Sequence, residues 1–260
     1  MLEHILLAKI LTSILVVAAL SIIAEYASPK TAGILSGYPT ATAIVLFFYG
    51  VEIGPEFASQ SSVYNLAGLF AMQVFFYIYY KSSLFFKKFG IVLSALASVS
   101  GYLLAVYALH FIKFDLAGAF AVAVFSSVLF FLLFRKIRNE DIGKRVKLTP
   151  EVLLARAFVA AAIILIVTHA ARSLGSTWAG LLSAFPATVF PLIIIVHATY
   201  GAKFAHTIIK NFPAGIGSLM AYSVLVWAAY PYLGVYVGTL AAFAAATAYL
   251  LVYKIFSEKV

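Results

Sequence analysis

The chain has 260 residues, of which 64% are hydrophobic and 10% charged, with no cysteine. A water-soluble domain of that size needs far more polar surface, so an ordinary cytosolic enzyme is excluded and a polytopic membrane protein is expected. The net charge of +9, from 18 Lys and Arg against 9 Asp and Glu, is then a topology signal before it is a nucleic-acid signal, and the missing cysteines exclude disulfides, thiol catalysis and thiolate metal sites.

One membrane crossing takes about 20 apolar residues. Nine such runs follow one another: Ile5 to Ala24, Gly33 to Ile53, Tyr64 to Tyr80, Ile91 to Phe111, Leu116 to Phe134, Val152 to Ala171, Ala179 to Thr199, Pro213 to Tyr230 and Val235 to Tyr253. The third is short, and only Pro231 to Gly234 separates the last two. The first carries Glu3 and His4 where a signal peptide has a cationic start, and it lacks a small-residue cleavage site, so a retained helix is expected. Nine crossings place 15 cations on one side and leave Lys9, Lys113 and Arg172 on the other. The positive-inside bias then puts the N-terminus outside and the C-terminus inside.

The sequence aligns with itself, without a gap, at a shift of 147 residues, with 20 identities over the 102 positions from Leu6 to Tyr107. Leu6 to Lys9 fall on Leu153 to Arg156, and Gly54, Phe57 and Ala58 on Gly201, Phe204 and Ala205. Ala67 and Gly68 fall on Ala214 and Gly215, and Tyr102 to Leu104 on Tyr249 to Leu251. The expected organisation is therefore a first four-helix repeat (1–111), a linker helix with a basic cytoplasmic loop (112–149) and a second four-helix repeat (150–260). An odd number of spans separates equivalent helices, so the halves must insert with opposite orientation. The loop charges agree: Lys81, Lys87 and Lys88 fall on Ala228, Gly234 and Val235. The fold class is an all-α polytopic membrane protein of nine transmembrane helices, a 4+1+4 inverted repeat. That is the recurring plan of secondary transporters, although duplication alone also builds channels and scaffolds.

Two kinds of residue stand out against this frame. Lys9 and Arg156 are the cationic pair kept in both halves; they would meet an anionic substrate or lipid phosphate, or simply snorkel to headgroups. The second constellation is Ala32 to Pro39 with its partner Ala179 to Pro186. A proline within a spanning helix frees a carbonyl where no water can satisfy it, so such a place needs a hydroxyl, a neighbour or a ligand. Ser36, Tyr38, Pro39, Thr40 and Thr42 form the first cluster and Ser183, Phe185, Pro186 and Thr188 the second, with Pro191 a further break. Transporters bind substrate where helices are interrupted at matching places; a kink with close packing through small residues is the structural alternative. Gln73, with Asn65 nearby, could line the same cavity.

His169, His197 and Glu52 lie towards span ends and read as interfacial or packing residues. The absence of Asp or Glu near the middle of any span argues against a buried-carboxylate proton exchanger and a divalent-metal carrier. No phosphate loop, Ser-His-acid set or metal motif points to an enzyme. The basic run from Arg135 to Lys147 reads as a topogenic loop, Thr149-Pro150-Glu151 as a helix start, and the many Tyr and Phe near span ends as interfacial belts.

Trp178 to Pro186, followed by His197 and Gly201, resembles the GlpM-like small membrane proteins of the DUF3147 type, which are about one repeat long. The resemblance covers the second and third helices of each half, and the first half departs from it with Gly50 in place of His197. It implies that a one-repeat membrane protein was doubled, and it supplies no substrate.

The expected function is a secondary transporter or exporter of a small neutral, zwitterionic or anionic solute in the cell membrane. An ion or small-solute channel and a non-transporting membrane adaptor are the alternatives. Membrane lipids and a small-molecule or ion substrate are the expected partners, a homo-oligomer is compatible with the sequence, and no cofactor, metal or nucleic acid is expected.

Overall fold

The computed structural model describes residues 7, 11, 14–15, 28–86, 89–140 and 150–257, with all of their side chains except those of 150–153, 155–156, 171–172 and 257. Most of the first expected span, with Lys9, lies outside the described residues, as does Thr149; Arg156 is placed in a helix without its side chain. Helix is the one regular secondary structure among the described residues, as it must be where a lipid-embedded backbone satisfies its own hydrogen bonds.

Helix α1 covers Pro29–Leu35, with proline at its start and Ser28 as N-cap accepting from the Thr31 amide. After a break come α2 (Thr40–Glu52), α3 (Pro55–Phe85), α4 (Gly90–His110) and α5 (Leu116–Phe134), the last capped by Asp115 accepting from the Gly118 amide at 2.8 Å. Helix α6 (Pro150–Ser183) is interrupted at Gly175, where φ is 78°. Helix α7 covers Val189–Tyr200. Helix α8 (Ala202–Ser257) has 56 residues. At about 1.5 Å per residue a straight rod of that length would run almost three times the roughly 30 Å hydrocarbon thickness. It is divided at Gly234, with φ 74° and ψ 170°, between the last two expected spans.

Five stretches are long and apolar enough to cross a membrane: Pro29–Glu52, Pro55–Phe85, Gly90–His110, Leu116–Phe134 and Ala202–Phe256. Shorter apolar helices run over Ala157–Ala170 and Val189–Tyr200. The chain is an all-helical membrane protein. One expectation needs revision. The third span is not short but a 31-residue helix, because Ser59, Ser61, Ser62 and Asn65, polar in sequence, are buried against other helices. The second and seventh expected spans are each interrupted, after Leu35 and after Ser183, rather than kinked, at the two proline-bearing segments singled out in the sequence.

Burial sorts the elements. The most apolar windows of α1–α2 and α3 are 67% and 72% buried, whereas those of α4, α5 and α8 are 22% buried. Leu104, Phe125 and Leu240 are accordingly exposed, as befits helices whose outer faces meet lipid, while the polar Asn65 and Gln73 are fully buried. Helix α3 is the axis of the molecule, flanked by α4, α5, α6 and α8. Ser59 donates to the Trp227 carbonyl, Ser223 to Asn65, and Ser83 pairs with His206, while Phe76 meets Phe212. The partner numbers fall as the α3 numbers rise, so α3 and the first arm of α8 run antiparallel.

The interruptions recur at the shift of 147 seen in the sequence. Ser28, the N-cap where α1 begins, corresponds to Gly175; the α1–α2 break corresponds to the α6–α7 break; Gly54 corresponds to Gly201. Contacts recur reciprocally as well. Gly33 packs on the Ile208 carbonyl and Gly180 on the Ser61 carbonyl, both members moved by the same shift. Gly215 packs on the Ile34 carbonyl and Gly68 against the Leu181 carbonyl. The contact of Asn65 with Ser223 is answered by that of Phe76 with Phe212.

Candidate functional site

The two helix interruptions meet in the interior. At the first, Pro39 cannot donate a hydrogen bond, and α1 closes with short-range bonds from the Gly37 amide to Ile34 and from the Tyr38 amide to Leu35. At the second, α6 closes in the same way, from the Ala184 amide to Leu181 and from the Phe185 amide to Leu182. The carbonyls freed at the end of α6 lie in an environment without bulk water, and each finds a hydroxyl. Tyr49 donates to the Ala179 carbonyl at 3.2 Å and Ser183 to that of Gly180 at 2.7 Å. Tyr102 donates to the Leu181 carbonyl at 2.7 Å and Thr42 to that of Ser183 at 3.3 Å. In the first half Ser36 donates to the Ala32 carbonyl at 2.7 Å.

Beyond the breaks, the first turns of α2 and α7 face each other, and the hydroxyls of Thr40 and Thr188 lie 3.2 Å apart. A helix start leaves amide groups without intrahelical acceptors and carries partial positive charge. A small cavity of about 10 Å³ lies between these elements, room for about one water molecule. Ser36, Tyr38, Thr40 and Thr42 line it from the first half, and Phe185, Pro186 and Thr188 from the second. Seven of the residues singled out by sequence thus share one cavity. Met72 and Leu219 also line it and are one another's counterparts at the repeat shift, as are Thr40 and Ala187, Ala41 and Thr188, Thr42 and Val189, and Tyr38 and Phe185.

The counterparts are not held alike. Tyr38 pairs with Thr247 at 3.0 Å and stacks on Phe243, whereas Phe185 sits among Phe75, Tyr102 and Phe190. Pro39 and Ser183 stand at the breaks beside the cavity. Asn65 donates to Ser183 at 2.7 Å and accepts from Ser223 at 2.9 Å, tying α6 to α3 and α8. Gln73 is not part of the cavity lining: its amide donates to Ser126 on α5 at 2.9 Å, and its buried carbonyl oxygen has no partner among the described residues. This corrects the expectation from sequence, because its register on α3 turns it towards the linker helix.

Met72 and Leu219 were not legible as lining residues one at a time, although their equivalence under the repeat was a usable signal. His206 was also missed. It is buried at the α3–α8 interface, 2.7 Å from Ser83 and edge-on to Tyr80. No group of three or more His, Cys, Asp or Glu that could hold a metal occurs among the described residues. No protein-family model matches the chain, and neither a curated protein nor a solved structure does.

Proposed function

We propose that the chain is a secondary transporter whose two halves are inverted repeats, four helices each, joined by α5 as a ninth, with the N-terminus outside and the C-terminus inside. What supports the inversion is the pairing of equivalent helices: α3 and the first arm of α8 correspond under the repeat and run antiparallel. A twofold axis relating antiparallel spans lies in the membrane plane, which is the arrangement that makes inward-open and outward-open states near-equivalent.

The single observation that carries the transport reading is the meeting of two matched helix breaks around a cavity lined by counterpart residues. The solute is small and neutral, zwitterionic or anionic, since hydroxyls and two helix starts face the cavity and no acidic side chain lines it. Ser36, Thr40, Thr42, Ser183 and Thr188 are its hydrogen-bonding groups, and Lys9 and Arg156 its peripheral anion contacts. At about 10 Å³ the cavity is in its closed form, and the solute enters when the halves rock apart.

The test is flux into proteoliposomes, screened over small amino acids, organic anions and neutral polyols. Thr40→Val with Thr188→Val should lower the flux of any transported solute at least about tenfold, an effect of about 1.4 kcal/mol, while leaving the protein monodisperse. Unchanged flux by folded protein would overturn the site.

A further inference from the structure

At the 147-residue shift α3 and the first arm of α8 are counterparts, so each residue at one end of their contact has a counterpart at the other end. The two ends differ in kind. Towards the start of α3, Ser59 donates to the Trp227 carbonyl at 2.9 Å and Ser62 to that of Ser59 at 2.7 Å. Asn65 accepts from Ser223 at 2.9 Å and donates to Ser183 at 2.7 Å, and Gln60 accepts from Ser176 of α6 at 3.3 Å. Ser61, Ser62, Asn65 and Ser223 are fully buried. The polar groups continue to the central cavity, because the Ser183 carbonyl accepts from Thr42, which lines it.

Towards the end of α3 the counterparts are apolar. Ile208 stands for Ser61, Ile209 for Ser62, Phe212 for Asn65 and Phe76 for Ser223. Phe76 and Phe212 meet with ring centroids 4.4 Å apart, both isoleucines are buried, and Phe75 packs on Phe185 and Phe190. Water therefore affects the two ends differently. Exchanging a protein hydrogen bond for one to water changes the free energy little, whereas parting two phenyl rings wets apolar surface at its full hydrophobic cost. One hydroxyl already lacks what water would supply. Ser61 Oγ is buried without a partner among the described residues, one turn from Asn65 on the same side of α3. Small polar residues can also join helices as a dry clasp, but a clasp has no use for an unpaired hydroxyl.

We propose that the hydroxyl seam of α3, α6 and the first arm of α8 is the route by which water and solute pass between the central cavity and the end of the molecule where α3 begins, and that the Phe76–Phe212 seam is the dry barrier at the other end. The proposal rests on the transporter reading and adds to it the lining of one passage, the position of the barrier and a resting bias towards the hydroxyl side. Ser59, Ser62, Asn65 and Ser223 exchange their bonds to one another for bonds to water, and then to solute. The aromatic seam, whose Phe and Ile side chains carry no polar atom, parts at the greater cost.

The chain has no native cysteine, so single cysteines report wetting directly. Ser62→Cys and its counterpart Ile209→Cys, each in lipid nanodiscs with both faces open to solution, are treated with a positively charged, membrane-impermeant methanethiosulfonate. The Ser62 variant should react on the order of tenfold faster, the ratio of the two wetted populations. Ser223→Cys against Phe76→Cys should repeat the difference, and the first pair carries the test alone if the Phe76 variant is not monodisperse. Adding Phe212→Asn, which copies Asn65 into the aromatic seam, should raise the Ile209→Cys rate towards that of Ser62→Cys. Equal rates in folded protein, or no reaction at either position, would overturn the proposal and leave the seam a dry clasp. Labelling needs no solute, so the two readings fail separately. A faster Ser62 rate without flux of any solute upholds the wet seam and overturns transport; flux with equal rates overturns the route and leaves transport standing.

Discussion

The Gly50 end and the His197 end occupy equivalent positions in the two halves at the 147-residue shift, yet a Cβ at Gly50 would lie 2.7 Å from Val235, whereas at the other end the His197 imidazole pairs with Tyr79 at 3.0 Å. Between them the antiparallel pair of α3 and α8 is held by contacts that recur reciprocally. Under the proposed repeat the backbone frame, meaning its breaks and its helix-to-helix glycine contacts, is shared by the two halves, while side chains choose the packing at each end. A change to the shared frame should therefore injure both halves, and a change at one end should stay local.

The largest effect is expected in the frame. Gly215→Val would drive a side chain into the Ile34 backbone, where nothing flexible can yield. It should cost about 3 kcal/mol or more, read as loss of monodisperse protein. The counterpart Gly68→Val meets the Ala184 methyl at 2.7 Å and the Leu181 carbonyl at 3.0 Å and should be the milder of the two. Equal tolerance at both sites would break the idea of a shared packed centre.

The turns come next. Gly54 and Gly201 have φ of 143° and 99° with extended ψ, a region essentially restricted to glycine. A Cβ at Gly201 would meet nothing within 4 Å, and at Gly54 only Glu56 Oε2 at 3.9 Å. Alanine at either should therefore cost backbone strain alone, about 1–3 kcal/mol, and by the same amount at both ends. Thermal unfolding of the two variants in one detergent measures it; unequal losses would show that the ends differ in backbone as well as in packing.

Asn65 is a polar tie present in one half, opposite Phe212. Asn65→Leu removes the bonds to Ser183 and Ser223 and should lower stability by about 1–3 kcal/mol, with solute flux reduced because Ser183 is released. The smallest effect is expected at Gln73. Its carbonyl oxygen has no partner among the described residues, and Gln73→Met, which copies the counterpart Met220, should change stability by less than about 1 kcal/mol and leave flux intact. A large flux defect would return Gln73 to the site.

Much of this was legible in the residues. Apolar runs of about 20 residues compel helices in lipid, so most of the described elements lie where hydropathy puts them, and Leu116–Phe134 matches to the residue. The helix breaks could be expected from Ser36 to Pro39 and Ser183 to Pro186, because proline and freed carbonyls are local chemistry. The expectation fell short where a side chain's partner lies far along the chain. Gln73 looked like a cavity residue until its register on α3 turned it to Ser126, and Ser59, Ser61 and Ser62 lay outside the expected third span although they belong to the buried helix.

What the sequence by itself determined is the membrane class, the self-alignment at a shift of 147 residues and the places where helices must stop, since each follows from composition, residue identity or backbone chemistry within a few residues. Only the tertiary structure decided that α3 and the first arm of α8 pack against each other, that the two breaks meet around one cavity, and that Gly50 lies against Val235 while its counterpart His197 pairs with Tyr79. Those are properties of contacts between residues more than a hundred positions apart. Two nearly equal packings of one frame differ by the fit of a few side chains, and hydropathy does not record that fit.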